Sequence, residues 1–238
     1  SCIYGIDIDI HAVEVAKFSL LIKLIEDETA PSVAEVVPIL PDLGDNIQFG
    51  NSLVSQAELN GISCANHQMM EISPFDWSAI NNGCGFDVII GNPPYVNTEG
   101  MHTLLPSVEV EVYKKKYKTS HKQFDKYFIF IEQAINKIKE NGLVCYIVPN
   151  KFFKIGAGEK LRNLIAKERM LISLDDFGDA QLFEDKTIYS SIILLSKVKQ
   201  TTFVYSSVDS ANELWAGEEV SSIELNSSVL NKLPWRLT

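Results

Sequence analysis

The sequence predicts an α/β fold with a mainly parallel sheet. Two observations carry this. Short apolar runs alternate with longer amphipathic segments over residues 2–205, and a strand that returns to its sheet through a helix does so by a right-handed crossover. The run Phe86-Asp87-Val88-Ile89-Ile90 also reads as a buried parallel strand that stops at Gly91-Asn92-Pro93-Pro94-Tyr95. Two prolines there remove two backbone donors, and Asn92 is pushed toward an extended conformation by the proline after it.

The elements follow in order. Residues 2–6 form a strand ending in Asp7-Ile8-Asp9. A helix over 11–26 is predicted by Ala12, Val13, Ala16, Leu20 and Leu24, with Asp9 as its N-cap. A loop at 31–45 leads to a strand at 46–49, closed by Gly50-Asn51-Ser52-Leu53. After the strand at 86–91, residues 97–107 read as a long loop able to act as a mobile flap. A helix at 123–139, a strand at 143–148, a helix at 158–168 and a strand at 170–176 come next. The last strands, 189–197 and 201–205, are joined by a short turn and expected to pair antiparallel. The catalytic domain is expected over 1–205, with 206–238 as a tail.

The turn at 91–95 suits transfer to a planar amino nitrogen. Such a nitrogen is a poor nucleophile because its lone pair is delocalised. Two acceptors, the Asn92 side-chain oxygen and the Pro93 carbonyl, can hold both N–H bonds and turn the lone pair toward an electrophile. Tyr95 can stack on the ring that carries the nitrogen. The rate gain then comes from positioning and fixed dipoles. The strand-end carboxylate Asp7 can hold ribose hydroxyls, and open α/β sheets bind ligands at this edge.

Gly5-Ile6-Asp7-Ile8-Asp9, Gly50-Asn51-Ser52-Leu53 and Phe86 through Tyr95, in that order, resemble the gamma group of DNA adenine-N6 methyltransferases. The likeness is greatest to the methyltransferase part of type IIG restriction–modification enzymes. It continues through Phe124 to Glu132, Gly142 to Asn150 and Leu182 to Lys186, spanning roughly residues 3 to 197. The resemblance implies a Rossmann-like fold using S-adenosylmethionine. It implies that Asp7 and Ile8 bind the cofactor ribose region, Asn51 and Ser52 its adenine side, and Phe130 packs on that adenine. It assigns Asn92, Pro93, Pro94 and Tyr95 to catalysis, with Tyr95 and Phe183 on either side of a flipped target base.

The chain departs from the family in one respect. No Gly-rich turn follows a strand before Asp7. The chain is therefore expected to be a fragment lacking the first central strand, inactive alone and weak or silent in cofactor binding. The strand at 2–6 is expected to move beside 86–91, or a homodimer to cover the gap.

The net charge of −10 is unevenly spread. Residues 1–113 carry net −14, 114–172 net +9 and 173–238 net −5. The basic block includes Lys114, Lys115, Lys116, Lys118, Lys122 and Lys126, with Tyr113, Tyr117 and His121 interleaved, and is expected to meet DNA phosphates. Cys2, Cys64, Cys84 and Cys145 have no metal spacing and read as reduced thiols of a cytoplasmic protein. No Pro-Cys pair is present, so cysteine-dependent methylation of a cytosine ring carbon is excluded. No metal is expected, and no apolar run approaches a membrane span. Two alternatives remain: a protein glutamine-N5 methyltransferase, because an amide nitrogen fits the same turn, and a non-catalytic scaffold that contacts DNA.

Overall fold

Two short apolar segments far apart in sequence pair in parallel at the start of the chain: β1 (Gly5–Asp7) and β2 (Ile47–Phe49), with Asp7 beside Phe49. The computed structural model describes residues 3–26, 41–62, 66–80, 83–181, 189–208 and 220–237. The chain divides into two compact units, 1–83 and 84–238.

In the first unit, helix α1 (Ile10–Ile25) starts where Asp9 accepts a hydrogen bond from the His11 N–H, so Asp9 is the cap its position predicts. Short helices α2 (Gln56–Leu59) and α3 (Asn66–Ile72) and a 3₁₀ turn at Trp77–Ala79 follow β2. Their core is Leu53, Val54, Leu59, Ile72 and Phe75. Gly50 lies against Phe75: a Cβ on it would stand 2.9 Å from that ring.

The second unit carries one six-stranded sheet. β3 (Phe86–Gly91) leads into α4 (Thr98–Leu104) and α5 (Ser107–Lys116). α6 (Lys126–Lys137) follows, then β4 (Ile138–Pro149), α7 (Lys151–Lys154), a 3₁₀ turn at Gly156–Gly158 and α8 (Glu159–Glu168). β5 (Leu171–Gln181), β6 (Tyr189–Ser196), β7 (Thr202–Ser207) and β8 (Ser221–Asn226) complete it. The order is β3-β4-β6-β5-β7-β8. β3 runs parallel to β4, and β5 to β7, while β6 is antiparallel to both its neighbours and β8 to β7.

Helix α6 is buried on nearly every side, from Tyr127 through Ile135, and packs on β4. Each aromatic or branched side chain so buried contributes about 2 kcal/mol. Its buried Glu132 would be costly alone, but it accepts from the Lys118 and Thr119 N–H groups and the Thr119 hydroxyl.

Three expectations change. Residues 97–107 are not a loop. Asn97 caps α4 by accepting from the Gly100 N–H, and Thr98 exchanges hydrogen bonds with the Phe124 backbone. β6 does not pair with β7, because β5 lies between them; β6 instead runs antiparallel to β4 and β5. The strand at the chain start does not join β3. It pairs with β2, and among the described residues β3 is an edge strand with Val88 and Ile90 exposed.

The C-terminal residues are held by a buried arginine. Arg162, 1% exposed, donates to the carbonyls of Phe152 and Ile155 through Nη1 and of Lys232 through Nε and Nη2. Trp235 stacks on Phe153 with centroids 6.4 Å apart, its backbone N–H donates to the Phe153 carbonyl, and its indole N–H donates to the Asn231 carbonyl. Gly158 is fixed by this clasp, since a Cβ there would fall 1.8 Å from the Phe152 carbonyl oxygen. Gly158→Ala is expected to lower the unfolding free energy by about 3 kcal/mol in denaturant titration, because backbone must move.

Candidate active site

The site grows from the carboxyl end of β3. Gly91 pairs with Tyr146 of β4, and a Cβ on Gly91 would meet that ring at 3.2 Å. Beyond it the chain leaves the ladder. Asn92 is exposed, Pro93 buried, Pro94 exposed and Tyr95 half-buried. The Tyr95 hydroxyl lies 2.5 Å from Asn92 Oδ1 and 3.0 Å from the Ile147 carbonyl oxygen. Its ring meets Tyr127 edge-on at 6.2 Å, and Tyr127 meets Phe128 at 4.7 Å. Burial pushes the Tyr95 phenol up to about 12, so it stays protonated at neutral pH.

Groups beyond the turn hold it. Lys126 N–H donates to the Val96 carbonyl, and Asn97 bridges Asp125, joining the turn to the start of α6. Asp125 is buried and paired with Lys151 at 3.0 Å. Burial raises its carboxyl pKa, and Lys151 opposes that rise. Asn150, at the end of β4, donates to Asp176, which also pairs with Lys154 at 2.9 Å. An Asp before an apolar helix and an Asn after a strand-ending proline were the available signals. The Ile147 carbonyl has no side-chain signal at all.

The cofactor candidates divide between the units. In the first, β1 and β2 bring Asp7, Ile8, Asn51 and Ser52 together, and the Gly50 N–H donates to the Asp7 carbonyl. Asp7 is exposed, with one carboxylate oxygen accepting from the Asp9 N–H. Asn51 is buried, and its Oδ1 accepts from the Leu53 N–H, shaping the turn. The Ser52 carbonyl accepts from the Trp77 indole. Phe130 stands half-buried on α6 in the second unit with Asn92 to Tyr95. Phe183 lies outside the described residues.

The basic block forms the last turn of α5 and the segment after it. Lys114, Lys115, Lys118 and Lys122 are exposed. Lys115 pairs with Glu111 at 2.6 Å, and Lys116 lies over the Tyr117 ring. Tyr113 and Tyr117 are buried, so they are core residues and not a stacking surface.

The model of the Eco57I restriction-modification methylase family matches residues 1–183. The chain belongs to this family. Eco57I-type relatives include the type II restriction enzyme and methyltransferase RM.Eco57I of Escherichia coli, 44% identical over 207 residues. That match covers 87% of this chain and 20% of the relative. The type II methyltransferase M.PaeR7I of Pseudomonas aeruginosa is 31% identical over 113 residues, covering 47% of this chain and 19% of the relative. The chain thus spans about a fifth of the length of these curated relatives. Among solved structures, a DrdV–DNA complex matches with a TM-score of 0.63 at 15% identity, over 94% of this chain and 24% of that one. The EcoKI M protein, a type I restriction enzyme component, matches with a TM-score of 0.52 at 12% identity, over 86% and 35%. These two likenesses carry the Rossmann-like methyltransferase fold for this Eco57I-family chain.

Proposed function

We propose that the protein carrying this chain transfers a methyl group from S-adenosylmethionine to adenine N6 in double-stranded DNA, as the modification activity of a bacterial restriction system in the cytoplasm. The observation that supports this best is the Asn92-Pro93-Pro94-Tyr95 turn, set at the carboxyl end of β3 and braced by β4 and α6. The cofactor supplies an electrophilic methyl group when bound. Within the first unit Asp7 is an exposed strand-end carboxylate suited to a ribose diol, and within the second Phe130 offers a half-buried aromatic face. Asn92 Oδ1 and the Pro93 carbonyl accept the two N–H bonds of the target nitrogen, and Tyr95 stacks on its ring. A paired base cannot reach such a turn, so the adenine is flipped out of the duplex. No side chain of the turn titrates near neutral pH, so proton removal is left to solvent after transfer.

Lys114, Lys118 and Lys122 contact phosphates in this reading. Replacing all three by Ala in the natural protein is expected to flatten the log–log salt dependence of DNA affinity by about 0.9 per lost contact. An unchanged slope removes them from the interface. The 238 residues alone are expected to bind S-adenosylmethionine weakly by calorimetry and to be inactive, since they span about a fifth of the length of the curated relatives. Pairing of two chains along the β3 edge, where Val88 and Ile90 are exposed, is tested by sedimentation.

The deciding experiment supplies the natural protein with labelled cofactor and either duplex DNA or a glutamine-containing peptide. N6-methyladenine among the digested nucleosides supports the proposal. Label on the peptide alone supports the glutamine reading, and label on neither supports the scaffold reading.

A further inference from the structure

The hydrogen bonds of Tyr95 do not balance as the heavy atoms are assigned. Its hydroxyl faces two acceptors, Asn92 Oδ1 at 2.5 Å and the Ile147 carbonyl oxygen at 3.0 Å. A phenol has one proton and can donate to only one of them. The oxygen and nitrogen of an amide are distinguished only by such a network. Turning the Asn92 amide over resolves the conflict. Nδ2 then donates to the phenol oxygen, the phenol donates to Ile147, and Oδ1 moves to the outward side of an exposed residue. The Ile147 carbonyl is available because β3 ends at Gly91, which pairs with Tyr146, so the next position of β4 has no β3 residue beside it. Among the described residues β4 pairs with β3 and β6, so no other described strand competes from that side.

We propose that the Tyr95 hydroxyl is a positioning group: anchored on the Ile147 carbonyl, it accepts from Asn92 Nδ2 and so presents Asn92 Oδ1 to the amino group being methylated. This rests on the adenine-N6 reading and adds a role for the hydroxyl separate from stacking by the ring. With the amide the other way round, its NH₂ would face the substrate NH₂, donor against donor, and the lone pair would not be steered. A single hydroxyl thereby selects one of two amide orientations that fill the same space. Burial keeps the phenol protonated, with its pKa up to about 12, so the donor to Ile147 is present throughout the working range of pH.

Tyr95→Phe removes the hydroxyl and keeps the ring. In the natural protein it is expected to lower kcat about tenfold, with KM for duplex DNA within about twofold, because stacking survives and orientation does not. A carboxylate has two equivalent oxygens and no wrong orientation. In an Asn92→Asp background the same Tyr95→Phe change is therefore expected to cost less than about twofold in the single-turnover rate. An equal loss in both backgrounds, or no loss in either, overturns the proposal. Independently of turnover, exchange of the Asn92 side-chain amide protons, followed by ¹⁵N NMR, is expected to be faster in Tyr95→Phe than in the natural protein, and equal exchange overturns it too. Absence of N6-methyladenine with the natural protein would remove the functional reading. Its presence with an undiminished Tyr95→Phe rate would remove this inference alone.

Discussion

Asn92→Ala in the natural protein is expected to lower the methyl-transfer rate to duplex DNA by at least about 100-fold, leaving DNA affinity within a few-fold. The reason is geometric. Asn92 follows the last paired residue of β3 and precedes a buried proline, so its backbone position is set by Gly91 and Pro93. Alanine keeps that backbone and deletes the acceptor. Losing one fixed dipole at a reacting centre typically costs about 10²–10³ in rate, and the weak nucleophile has no other side chain of the turn to replace it. Because the residue is exposed, the variant should melt within about 2 °C of the natural protein, consistent with surface substitutions of under about 0.5 kcal/mol. A rate within tenfold of natural, measured by single turnover with labelled cofactor, would show that the nitrogen is held elsewhere.

Arg162→Met is expected to lower the stability of the second unit by about 4 kcal/mol and its melting temperature by roughly 10 °C. Arg162 is a buried cation whose hydrogen bonds go to backbone carbonyls, of Phe152, Ile155 and Lys232. Methionine fills the stem volume but leaves these oxygens without the guanidinium. An unsatisfied buried acceptor costs about 1–3 kcal/mol; partial access of water brings three of them to the total expected. Arg162→Lys should fall between, since an ammonium cannot span all three. Scanning calorimetry of the pair decides it, and a loss below about 1 kcal/mol for Met would mean that the C-terminal residues hold without the clasp.

Legibility from sequence followed the range of the interaction. Asp9 as a helix cap and the stop of β3 at Gly91 were readable because they depend on neighbouring residues or on an apolar run. Helices α4 and α5 were hidden because they are short, polar and separated by Pro106. β4 begins at Ile138 rather than 143, since Lys139-Glu140-Asn141 reads locally as a turn while its pairing with Phe86 includes a register shift. Nor does local pattern encode which strands become neighbours, so the place of β5 between β6 and β7 could not be read. At the site, the four residues of the turn were legible as a chemical group. The Ile147 carbonyl and the Asp125–Lys151 pair were not, because a backbone oxygen has no letter of its own and ion pairs across 26 residues leave no periodicity.

The insertion of β6 beside β4 bears on the order in which the protein is made. The carbonyl that anchors Tyr95 belongs to Ile147, whose partner across the sheet is Ile192. A nascent chain that has emerged only as far as β5 has β3 and β4 in hand but nothing on the far side of β4. The turn that carries Tyr95 then rests on a two-stranded ribbon, which is marginal in water. It becomes rigid only when residues 189–196 thread between strands already synthesised, a non-local pairing that is slow to close. The bracing of the turn by a completed sheet thus arrives late in translation, about a hundred residues after the turn itself has left the ribosome.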